Sequence, residues 1–490
     1  MGKPVAEGLD LPAAKGRVDV DGVFDVVVIG GGSAGLAAAA AVAESGPYRT
    51  LVLEREEYLG GVLPQCVHDG FGLYLYGEPL TGPEFAHRWI ERVRGDDVPT
   101  ALAATVLSVE GPSADGLLRI DALGASLGGR ATLVARSAVC ATGCRERTRG
   151  ALQIPGGRPA GVLTAGSAQY MVNVANQFPG DKAVVLGSGD IGLIMARRMT
   201  LEGAEVRLVL GQEATGLVRN HIRCIQDFDI PLRYGWGLAS VHGYGQLQGV
   251  TVAPLRADGS FDLARKEYVR CNVLLVACGL VPEREVLDSP ALAPDASGLF
   301  LCGNANVPHD LVDQVAQEGL RTGIAAAAHA AALSGKPAPA LPDDLARMVG
   351  LSVSEPKGRM GDVGGDLPAG VQRIVCTVCP TGCVMEASEH GGVTGNTCPR
   401  GEEFARRELA CPTRMFTGTV AVAGGRRPLV PVRTERPVPK DRLFDVARAC
   451  RRLSVQAPVR MGEVLESDVA RTGAALVATG DCEGSAHGAL

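Results

Sequence analysis

The sequence predicts an α/β protein with two Rossmann-like dinucleotide-binding domains, one of them discontinuous, and a small α+β domain at the C-terminal end. A glycine-rich fingerprint occurs twice, about 157 residues apart, and each copy directly follows an apolar, strand-like segment. One nucleotide fold needs one such turn, so two copies imply two bound nucleotides. Four clustered cysteines near the C-terminal end indicate a third, chemically different region.

Length and charge limit the classes of protein that the sequence fits. A chain of 490 residues is too long for one hydrophobic core and indicates about three domains. The net charge of −6, without a block of lysines and arginines, excludes a general nucleic-acid-binding surface. The longest apolar runs are shorter than the ~20 residues of a membrane span, and the N-terminal residues lack a secretory signal pattern. We therefore expect a cytoplasmic protein without a transmembrane segment.

The first predicted domain spans residues 22–150 and, because the chain returns to it, residues 275–335. Its βαβ unit contains a strand, the first glycine turn, an alanine-rich helix and a second strand that ends at an acid, Glu54. The glycines permit the tight bend, the approach of the backbone to a pyrophosphate, and close packing of helix on strand. The residues expected at the phosphates are Gly30, Gly32, Ser33, Ala34 and Gly35. We expect Glu54 to accept hydrogen bonds from the hydroxyls of an adenosine ribose.

The second predicted domain spans residues 151–274 and repeats this order of strand, glycine turn and helix. The residues expected at its nucleotide are Gly187, Gly189, Asp190, Ile191 and Gly192. The acid that usually binds the ribose should follow the second strand, but Gly211 stands there, and Glu213 comes two residues later. No arginine cluster follows that favours a 2′-phosphate, so NAD and NADP both stay open. Arg197 and Arg198, on the helix of this unit, are expected to face solvent.

Residues 336–370 are predicted to be a linker, because prolines and glycines recur there without a sustained hydrophobic period. Residues 371–490 form the predicted C-terminal domain, with the cysteine pattern C-x2-C-x3-C-x14-C. Four thiolates bind zinc or an iron–sulfur cluster, and structural zinc sites more often use two C-x2-C pairs. The pattern therefore favours a [4Fe–4S] cluster, with zinc or an unmetallated thiol site as alternatives. The predicted ligands are Cys376, Cys379, Cys383 and Cys398, and Cys411 is an alternative fourth ligand.

The order of these motifs resembles the pyridine nucleotide-disulfide oxidoreductase superfamily, whose members bind FAD at the first fingerprint. In that superfamily an Ala-Thr-Gly turn marks each domain crossing, and a late Gly-Asp motif contacts the flavin. This chain has an Ala-Thr-Gly turn at 141–143, the modified crossing Ala-Cys-Gly at 277–279, and Gly-Asn at 303–304. The resemblance implies NAD(P)H at the second fingerprint. The residues to which it assigns further cofactor contacts are Arg55, Gly61, Thr142, Gly143, Gly279, Gly303 and Asn304.

Two further segments, residues 60–72 and 187–200, are similar to a bacterial subfamily that tends to be encoded beside glycerol-3-phosphate dehydrogenase. A small cysteine-containing protein often accompanies that subfamily, and residues 371–490 correspond to it. The resemblance implies an FAD-dependent oxidoreductase that connects NAD(P)H with a partner dehydrogenase or electron acceptor, in a homo- or hetero-oligomer. A flavin accepts two electrons as hydride and releases them singly, so an iron–sulfur cluster is a chemically suitable next carrier. Electrons could also flow inward from the partner.

The redox-active cysteine pair of true disulfide reductases is missing, since only Cys66 is present in the corresponding segment. This absence argues against a thiol or disulfide reductase. Cys66 and His68 are two residues apart, so on a strand they would share a face, and we expect them beside the flavin as candidate catalytic residues. The alternative is that both are packed structural residues. A non-enzymatic alternative for the whole chain is a flavin-binding scaffold with a structural zinc domain.

Overall fold

The computed structural model describes residues 17–211, 219–293, 297–353, 367–378, 381–388 and 391–485. Helices in these ranges are Ser33–Ser45 (α1), Gly82–Gly95 (α2), Ala165–Asn173 (α3), Asp190–Leu201 (α4), Arg223–Gln226 (α5), Val312–Ser334 (α6), Asp343–Gly350 (α7), Pro399–Ala410 (α8) and Leu443–Arg452 (α9). Within the same ranges, no helix combines the length and the apolar character that crossing a membrane requires.

The first sheet supports the first glycine turn. It has a parallel part, which contains both strands of the first βαβ unit, and an antiparallel extension on one side. Across the sheet the strands are Thr100–Ala101, Thr50–Leu53, Val23–Ile29, Gly129–Cys140, Leu118–Gly124 and Ala104–Glu110. Successive side chains of a strand point to opposite faces. Val26 and Val28 therefore pack in the core with the helices, while Val27 and Ile29 pack in a second core with the antiparallel strands.

The chain returns to this first domain after the second, as the sequence predicts. The short strand Leu299–Leu301 pairs in parallel with Gly129–Cys140 in the first sheet. Helix α6 then lies directly against α1, where a Cβ at Gly319 or Gly323 would overlap the backbone of α1. The discontinuous α/β domain of the predicted fold class is confirmed.

The second sheet is parallel throughout and supports the second glycine turn. Its strands, in order, are Val162–Thr164, Val273–Val276, Lys182–Leu186, Glu205–Gly211 and Leu232–Tyr234. Helices α3 and α4 cover one face with buried alanines, methionines and leucines. The other face packs against an antiparallel sheet whose strands are Trp236–His242, Gly249–Pro254 and Glu267–Val269.

Two of the small sheets formed by the C-terminal residues each pack against one helix. Helix α8 covers the antiparallel strands Val371–Val375, Val384–Ser388 and Val393–Thr394. Helix α9 covers a sheet with the strand order Ser454–Gln456, Thr417–Ala423, Leu429–Thr434, Leu476–Ala478 and Val464–Glu466. Short strand pairs elsewhere are Asp69–Phe71 with Leu80–Thr81, Cys144–Glu146 with Leu280–Pro282, and Thr413–Arg414 with Val438–Pro439. The small α+β domain of the predicted fold class is present.

Part of the predicted linker, residues 336–370, is a docked helix, α7. Helix α7 buries Leu345 and Met348 in the core of the first domain. The side-chain amide of Gln317, on α6, donates to the carbonyl of Met348 at 2.8 Å. Residues three apart share a helix face, so two apolar positions suffice for a short amphipathic helix that the surrounding prolines conceal in the sequence.

The expectation that Arg198 faces solvent is wrong. Its side chain is buried, with 4% of the residue exposed, at the junction of α4 with the C-terminal domain. Neighbouring charged residues on a helix point in different directions, about 100° apart, so two adjacent arginines need not share one exposed face.

Candidate functional site

The first glycine turn has no room for side chains at two of its positions. Gly30 adopts a φ of +106°, and a Cβ there would overlap the carbonyl of Ala141. A Cβ at Gly35 would overlap the carbonyl oxygen of Gly30, so the start of α1 lies directly against the strand. Gly32, the N-cap of α1, meets only the Cα of Gly61 in its surroundings. The N-terminal N–H groups of α1 thus face a cradle that suits a phosphate.

Polar groups around this turn fit a nucleotide. Ser33, the first residue of α1, is buried, and its Oγ has no hydrogen-bond partner among the described residues. The carboxylate of Glu54, 5% exposed, accepts from the N–H of Gly31 at 2.6 Å and from the N–H of Glu56 at 2.8 Å. Burial raises the pKa of Glu54, and both N–H groups oppose this shift. An unpartnered buried hydroxyl and a carboxylate at the strand end are suitable groups for phosphate and ribose.

The residues for which the family resemblance implies flavin contacts pack near the first glycine turn. Gly61 has a φ of +57°, and a Cβ there would lie 3.0 Å from the Cα of the N-cap of α1. Gly303 has a φ of +60° and lies against the side chain of Ala34. Asn304 follows it and accepts from the backbone N–H of His309 at 2.9 Å through its side-chain oxygen. The amide therefore keeps the acceptor role that the usual aspartate would have at this contact.

The two domain crossings meet at Glu283. Its carbonyl accepts from the hydroxyl of Thr142, and its N–H donates to the carbonyl of Gly143 at 3.0 Å. Its carboxylate pairs with Arg55 at 2.9 Å. Gly279 adopts a φ of +95° where the second crossing turns toward this contact. The structure thus brings the predicted residues of both crossings together beside the first turn.

The second glycine turn repeats the backbone of the first. Gly187 has a φ of +114°, and a Cβ there would overlap the carbonyl of Ala277. A Cβ at Gly192 would overlap the carbonyl oxygen of Gly187. Gly189 is the N-cap of α4 and has open space where a side chain would stand, and Ile191 is partly buried in the first turn of the helix. The phosphate cradle is therefore present a second time.

The side chains around the second turn differ from those around the first. A carboxylate oxygen of Asp190 lies 2.8 Å from Nδ1 of His221. Burial opposes the charge on His221, but its pKa is raised because Asp190 pairs with it. A Cβ at Gly211 would overlap Oγ of Ser188, so no acidic side chain fits at this strand end without a change there. Glu213 lies outside the described residues.

Cys66 and His68 do not share a strand face, so that expectation is wrong. Cys66 ends a 3₁₀ turn formed by Leu63–Gln65, and His68 precedes the strand Asp69–Phe71. Pro64 lies in the first turn of this 3₁₀ segment, where its fixed φ suits a helical turn and disfavours a strand.

Both side chains are uncharged near neutral pH. Burial raises the pKa of Cys66 to about 12, and its Sγ donates to the side-chain oxygen of Gln169 at 3.6 Å. Burial, and secondarily the nearby His221, lower the pKa of His68 to about 4. Nδ1 of His68 lies 3.2 Å from the carbonyl of Asp69, which favours the tautomer with hydrogen on Nδ1. The catalytic role of Cys66 and His68 stays a prediction.

The sequence did not predict the residues of α3 that contact the loop containing Gln65 and Cys66. Gln169 is 1% exposed and accepts from Nε2 of Gln65 at 3.0 Å. Its own Nε2 has no hydrogen-bond partner in the described part of the chain. Asn173, one turn later on the same helix, donates to the carbonyl of Gln65 at 2.8 Å. These residues lie in different predicted domains and belong to no recognised motif, so the sequence carries no signal of their contact.

Three of the four predicted metal ligands lie around one end of a β-hairpin, and Cys379 lies outside the described residues. The N–H of Cys376 donates to the carbonyl of Cys383 at 2.9 Å across the paired strands. Sγ of Cys383 lies 3.1 Å from the hydroxyl of Thr397, and the next residue, Cys398, is the N-cap of α8. Across the described ranges, no three His, Cys, Asp or Glu side chains group closely enough to hold a metal ion. The iron–sulfur centre therefore stays a prediction.

Comparison with known families divides the chain in two. The family described as pyridine nucleotide-disulphide oxidoreductase matches residues 24–302, more than half of the chain. A family described as protein of unknown function (DUF1667) matches residues 399–480. The second match begins directly after Cys398, so it covers most of the small C-terminal domain.

Curated relatives match over part of their length. The HcnB component of hydrogen cyanide synthase from Pseudomonas protegens is 26% identical over 288 residues, which cover 53% of this chain and 57% of that protein. An opine oxidase component from Agrobacterium tumefaciens is 30% identical over 196 residues, which cover 39% of this chain and 37% of that protein. The chain thus spans roughly half or less of the length of these relatives.

Solved structures show the fold. The thioredoxin reductase of Lactococcus lactis aligns with a TM-score of 0.51 and 20% identity, covering 63% of this chain and 99% of that one. The thioredoxin reductase of T. acidophilum aligns with a TM-score of 0.50 and 18% identity, covering 62% and 98%. With both glycine turns and the long family match, the chain belongs to the pyridine nucleotide-disulphide oxidoreductase family.

Proposed function

We propose that this chain transfers hydride between NAD(P)H and FAD and passes electrons to or from a C-terminal [4Fe–4S] cluster. A partner dehydrogenase or acceptor is the other end of the path. The observation that carries the hydride step is the pair of glycine turns, each at the end of a parallel strand and each too tightly packed for a Cβ. Open parallel sheets bind nucleotides at the carboxyl ends of their strands. One chain therefore offers a separate site to each dinucleotide.

The residues of the first turn have distinct tasks in this proposal. The N-terminal N–H groups of α1 and the unpartnered hydroxyl of Ser33 would bind the pyrophosphate, and Glu54 would accept from the ribose. Bound FAD supplies the chemistry that connects two-electron with one-electron carriers. Thr142, Glu283 and Arg55 join the two crossings beside that site.

The loop with Cys66 and His68 would supply neutral neighbours to the flavin. A thiol whose pKa is raised to about 12 stays protonated, whereas disulfide exchange needs a thiolate. The thiol or disulfide reductase is therefore the less favoured function. We expect Cys66→Ser to keep NAD(P)H oxidation within about threefold of wild type, because it replaces one neutral donor by another. Rapid reduction of a dithiol acceptor by wild type, lost in this variant, would instead favour the reductase.

The C-terminal cysteines would hold the metal centre. Cys376 and Cys383 lie opposite each other directly beyond the ends of two paired strands, and Thr397 connects Cys383 with Cys398. A cavity of about 400 Å³ opens at Cys383. Cysteines near one hairpin end, with space beside Cys383, would suit a cluster that four cysteines bind if their side chains converge on the metal. Cys379 would be the remaining ligand.

The other end of the proposed electron path is a partner protein. The two relatives named above are themselves components of multi-subunit enzymes, a hydrogen cyanide synthase and an opine oxidase. Their names support a partner subunit for this chain. The resemblance to the subfamily encoded beside glycerol-3-phosphate dehydrogenase supports glycerol 3-phosphate as the substrate of that partner, and a cytoplasmic location is proposed with it.

Anaerobic purification tests the electron path directly. Flavin, iron and zinc are quantified on one sample of the full chain, and NADH and NADPH are then added separately. We expect one FAD, a broad absorbance shoulder near ~400 nm and about four iron atoms per chain, and flavin bleaching by one of the nucleotides. Cys398→Ser should lose the iron while keeping FAD, and Cys411→Ser, which removes an exposed thiol at the opposite end of α8, should keep both.

Other outcomes of the same experiment distinguish the alternatives. Flavin with one zinc atom and no iron would remove the cluster and support the structural zinc domain. Loss of iron in Cys411→Ser but not in Cys398→Ser would move the fourth ligand to Cys411. Absence of bleaching by both nucleotides would contradict the hydride step and favour the flavin-binding scaffold.

A further inference from the structure

Arg198 connects three parts of the molecule that lie far apart in the sequence. It sits on α4, the helix that begins at the second glycine turn. Its Nε donates to the side-chain oxygen of Asn173 on α3 at 2.7 Å, and its Nη2 donates to the hydroxyl of Thr419 in the C-terminal domain at 3.0 Å. Glu202, one turn later on α4, pairs with its Nη1 at 2.8 Å. All three nitrogens of this buried guanidinium therefore have partners.

The hydrogen-bond path continues from α3 into the loop beside the first turn. Nδ2 of Asn173 donates to the carbonyl of Gln65 at 2.8 Å. Nε2 of Gln65 donates to Gln169 at 3.0 Å, and Sγ of Cys66 donates to the same side-chain oxygen at 3.6 Å. A continuous path of hydrogen bonds thus leads from the C-terminal domain, through α4 and α3, to the loop of the first domain that carries Cys66.

A buried guanidinium fixes geometry more strictly than an apolar contact does. Its donors lie in one plane, and a buried charge is strongly unfavourable unless each partner stays in place. Arg198 therefore restrains the rotation of α4 relative to α3 and to the C-terminal domain. The second glycine turn is the N-terminal end of α4, so the same contacts restrain the position of that turn relative to the loop of Gln65.

We propose that the C-terminal domain positions the nicotinamide-binding turn for hydride transfer, and that Arg198 is the positioning residue through which Thr419 acts. The inference rests on the proposed hydride transfer between NAD(P)H and FAD. It gives the C-terminal domain a task that is independent of any metal centre. Hydride transfer needs the reacting atoms about 3–3.5 Å apart, and a misplacement of about 1 Å slows such a step by roughly a hundredfold.

A second contact between the same two domains supplies a matched control. Arg414 of the C-terminal domain pairs with Asp227, directly after α5, at 2.5 Å and with Glu408 at 2.5 Å. Arg223 of α5 also pairs with Glu408. This ion-pair cluster docks the C-terminal domain without taking part in the hydrogen-bond path to Gln65. A general loss of docking should therefore follow from Arg414→Lys as readily as from a change at Thr419.

The test uses the full chain with bound FAD and measures flavin reduction after rapid mixing with whichever nucleotide reduces wild type. Thr419→Val removes the hydroxyl but keeps the shape, and Thr419→Ser keeps the hydroxyl. We expect Thr419→Val to lower the first-order rate constant at saturating nucleotide about three- to tenfold, with the Kd within about twofold. Thr419→Ser should recover at least about half of the rate, and Arg414→Lys should stay near wild type.

Arg198→Lys extends the series, because it keeps the charge but cannot donate to both partners in the planar arrangement. We expect a larger fall in the rate constant than in Thr419→Val, with unchanged flavin content. A wild-type rate in Thr419→Val overturns the inference. Equal losses in Thr419→Val and Arg414→Lys, or no recovery in Thr419→Ser, also overturn it, because docking in general would then be responsible. A wild-type flavin that neither nucleotide reduces is a different result, which overturns the proposed function itself.

Discussion

The two glycine turns agree wherever only the backbone is concerned. The first glycine has a φ of +106° in Gly30 and +114° in Gly187. A Cβ would overlap the carbonyl of Ala141 in one case and that of Ala277 in the other. A strand that turns tightly into a helix beside a domain crossing allows little variation, so the two copies share one solution.

The turns differ in the side chains that would recognise a nucleotide. The strand after the first turn ends at Glu54, which is buried and holds the N–H of Gly31. The strand after the second ends at Gly211, where Oγ of Ser188 fills the space that an acid would need. The backbone of the fingerprint is thus a general phosphate site, and the residue at the strand end distinguishes one turn from the other.

The largest effects are expected at the glycine of each turn that lets the helix pack on the strand, Gly35 in the first turn and Gly192 in the second. Substitution of one should impair FAD binding, and substitution of the other should impair reduction by the nicotinamide nucleotide. We expect Gly35→Ala to lower the bound flavin more than tenfold, because its Cβ overlaps the carbonyl oxygen of Gly30; overpacking of this kind costs about 1–3 kcal/mol. Gly192→Ala meets the same obstacle at Gly187 and should keep FAD while losing reduction by NAD(P)H. Flavin absorbance and rapid-mixing reduction measure the two properties.

A loss of flavin in both variants would show that the turns do not act separately. Gly350, at the end of α7, has open space around its missing Cβ and serves as a control. Gly350→Ala should change neither flavin content nor the rate of reduction.

The next largest effect should come from the acid that only the first turn has. Glu54→Gln keeps the shape but replaces the buried carboxylate, and hydrogen bonds to charged groups contribute about 1.5–3 kcal/mol. We therefore expect the Kd of FAD to rise roughly tenfold to a hundredfold, measured by titration of the apoprotein with FAD. Glu56→Gln is the matched control, because its side chain is 50% exposed, and it should leave the Kd nearly unchanged. An equal rise in both variants would contradict the role of Glu54.

The features that could be predicted from the sequence are those that a local pattern encodes. Both βαβ units and their glycine turns are such patterns, and the second strand of the first unit ends directly before Glu54, as expected. The return of the chain to the first domain also follows from a buried-strand pattern, at Leu299–Leu301. In each case the apolar period or the glycine spacing is contained within a few residues, so tertiary contacts do not have to be known.

The remaining features depend on contacts between distant residues. Arg198 has the pattern of a surface arginine until its partner Thr419, 221 positions later, is placed beside it. Cys66 and His68 have the spacing of a strand, but Pro64 begins a 3₁₀ turn there. Helix α7 is stabilised by burial of Leu345 against the first domain rather than by its own sequence. Local patterns carry no information on such partners, so the sequence could not reveal them.

An acid can be added to the second turn to make it resemble the first. Gly211→Glu alone should weaken nucleotide binding, because its Cβ overlaps Oγ of Ser188. Ser188→Gly combined with Gly211→Glu removes that obstacle, although the ring of Tyr234 must still shift slightly. A carboxylate there accepts from the 2′-hydroxyl of NADH and repels the 2′-phosphate of NADPH. We expect the ratio of kcat/KM for NADH over NADPH to rise roughly tenfold, a difference of about 1.4 kcal/mol. An unchanged ratio would place the ribose elsewhere.

The smallest effects are expected at His221 and His68. Their substitution should change the pH dependence of the free energy of unfolding in opposite directions. The pKa of His221 is raised by Asp190 against the opposing effect of burial, so its stabilising contribution is full below pH ~6.5 and is lost as the pH rises through its folded-state pKa. Burial lowers the pKa of His68 to about 4, so the folded state loses stability as the pH falls below ~6.5. Asp69 and Arg197 also lie near this pair.

Thermal unfolding of His221→Gln and His68→Gln at pH 5.5 and pH 8.5 distinguishes these signs, and for His68 the free-energy difference between the two pH values should be about 1 kcal/mol. His221→Gln should lower the Tm more at pH 5.5 than at pH 8.5, because it removes a charged partner of Asp190. His68→Gln should do the reverse, because it removes a group that resists protonation in the folded state. Equal shifts at both pH values would mean that neither histidine changes its protonation on folding, which would contradict both pKa directions.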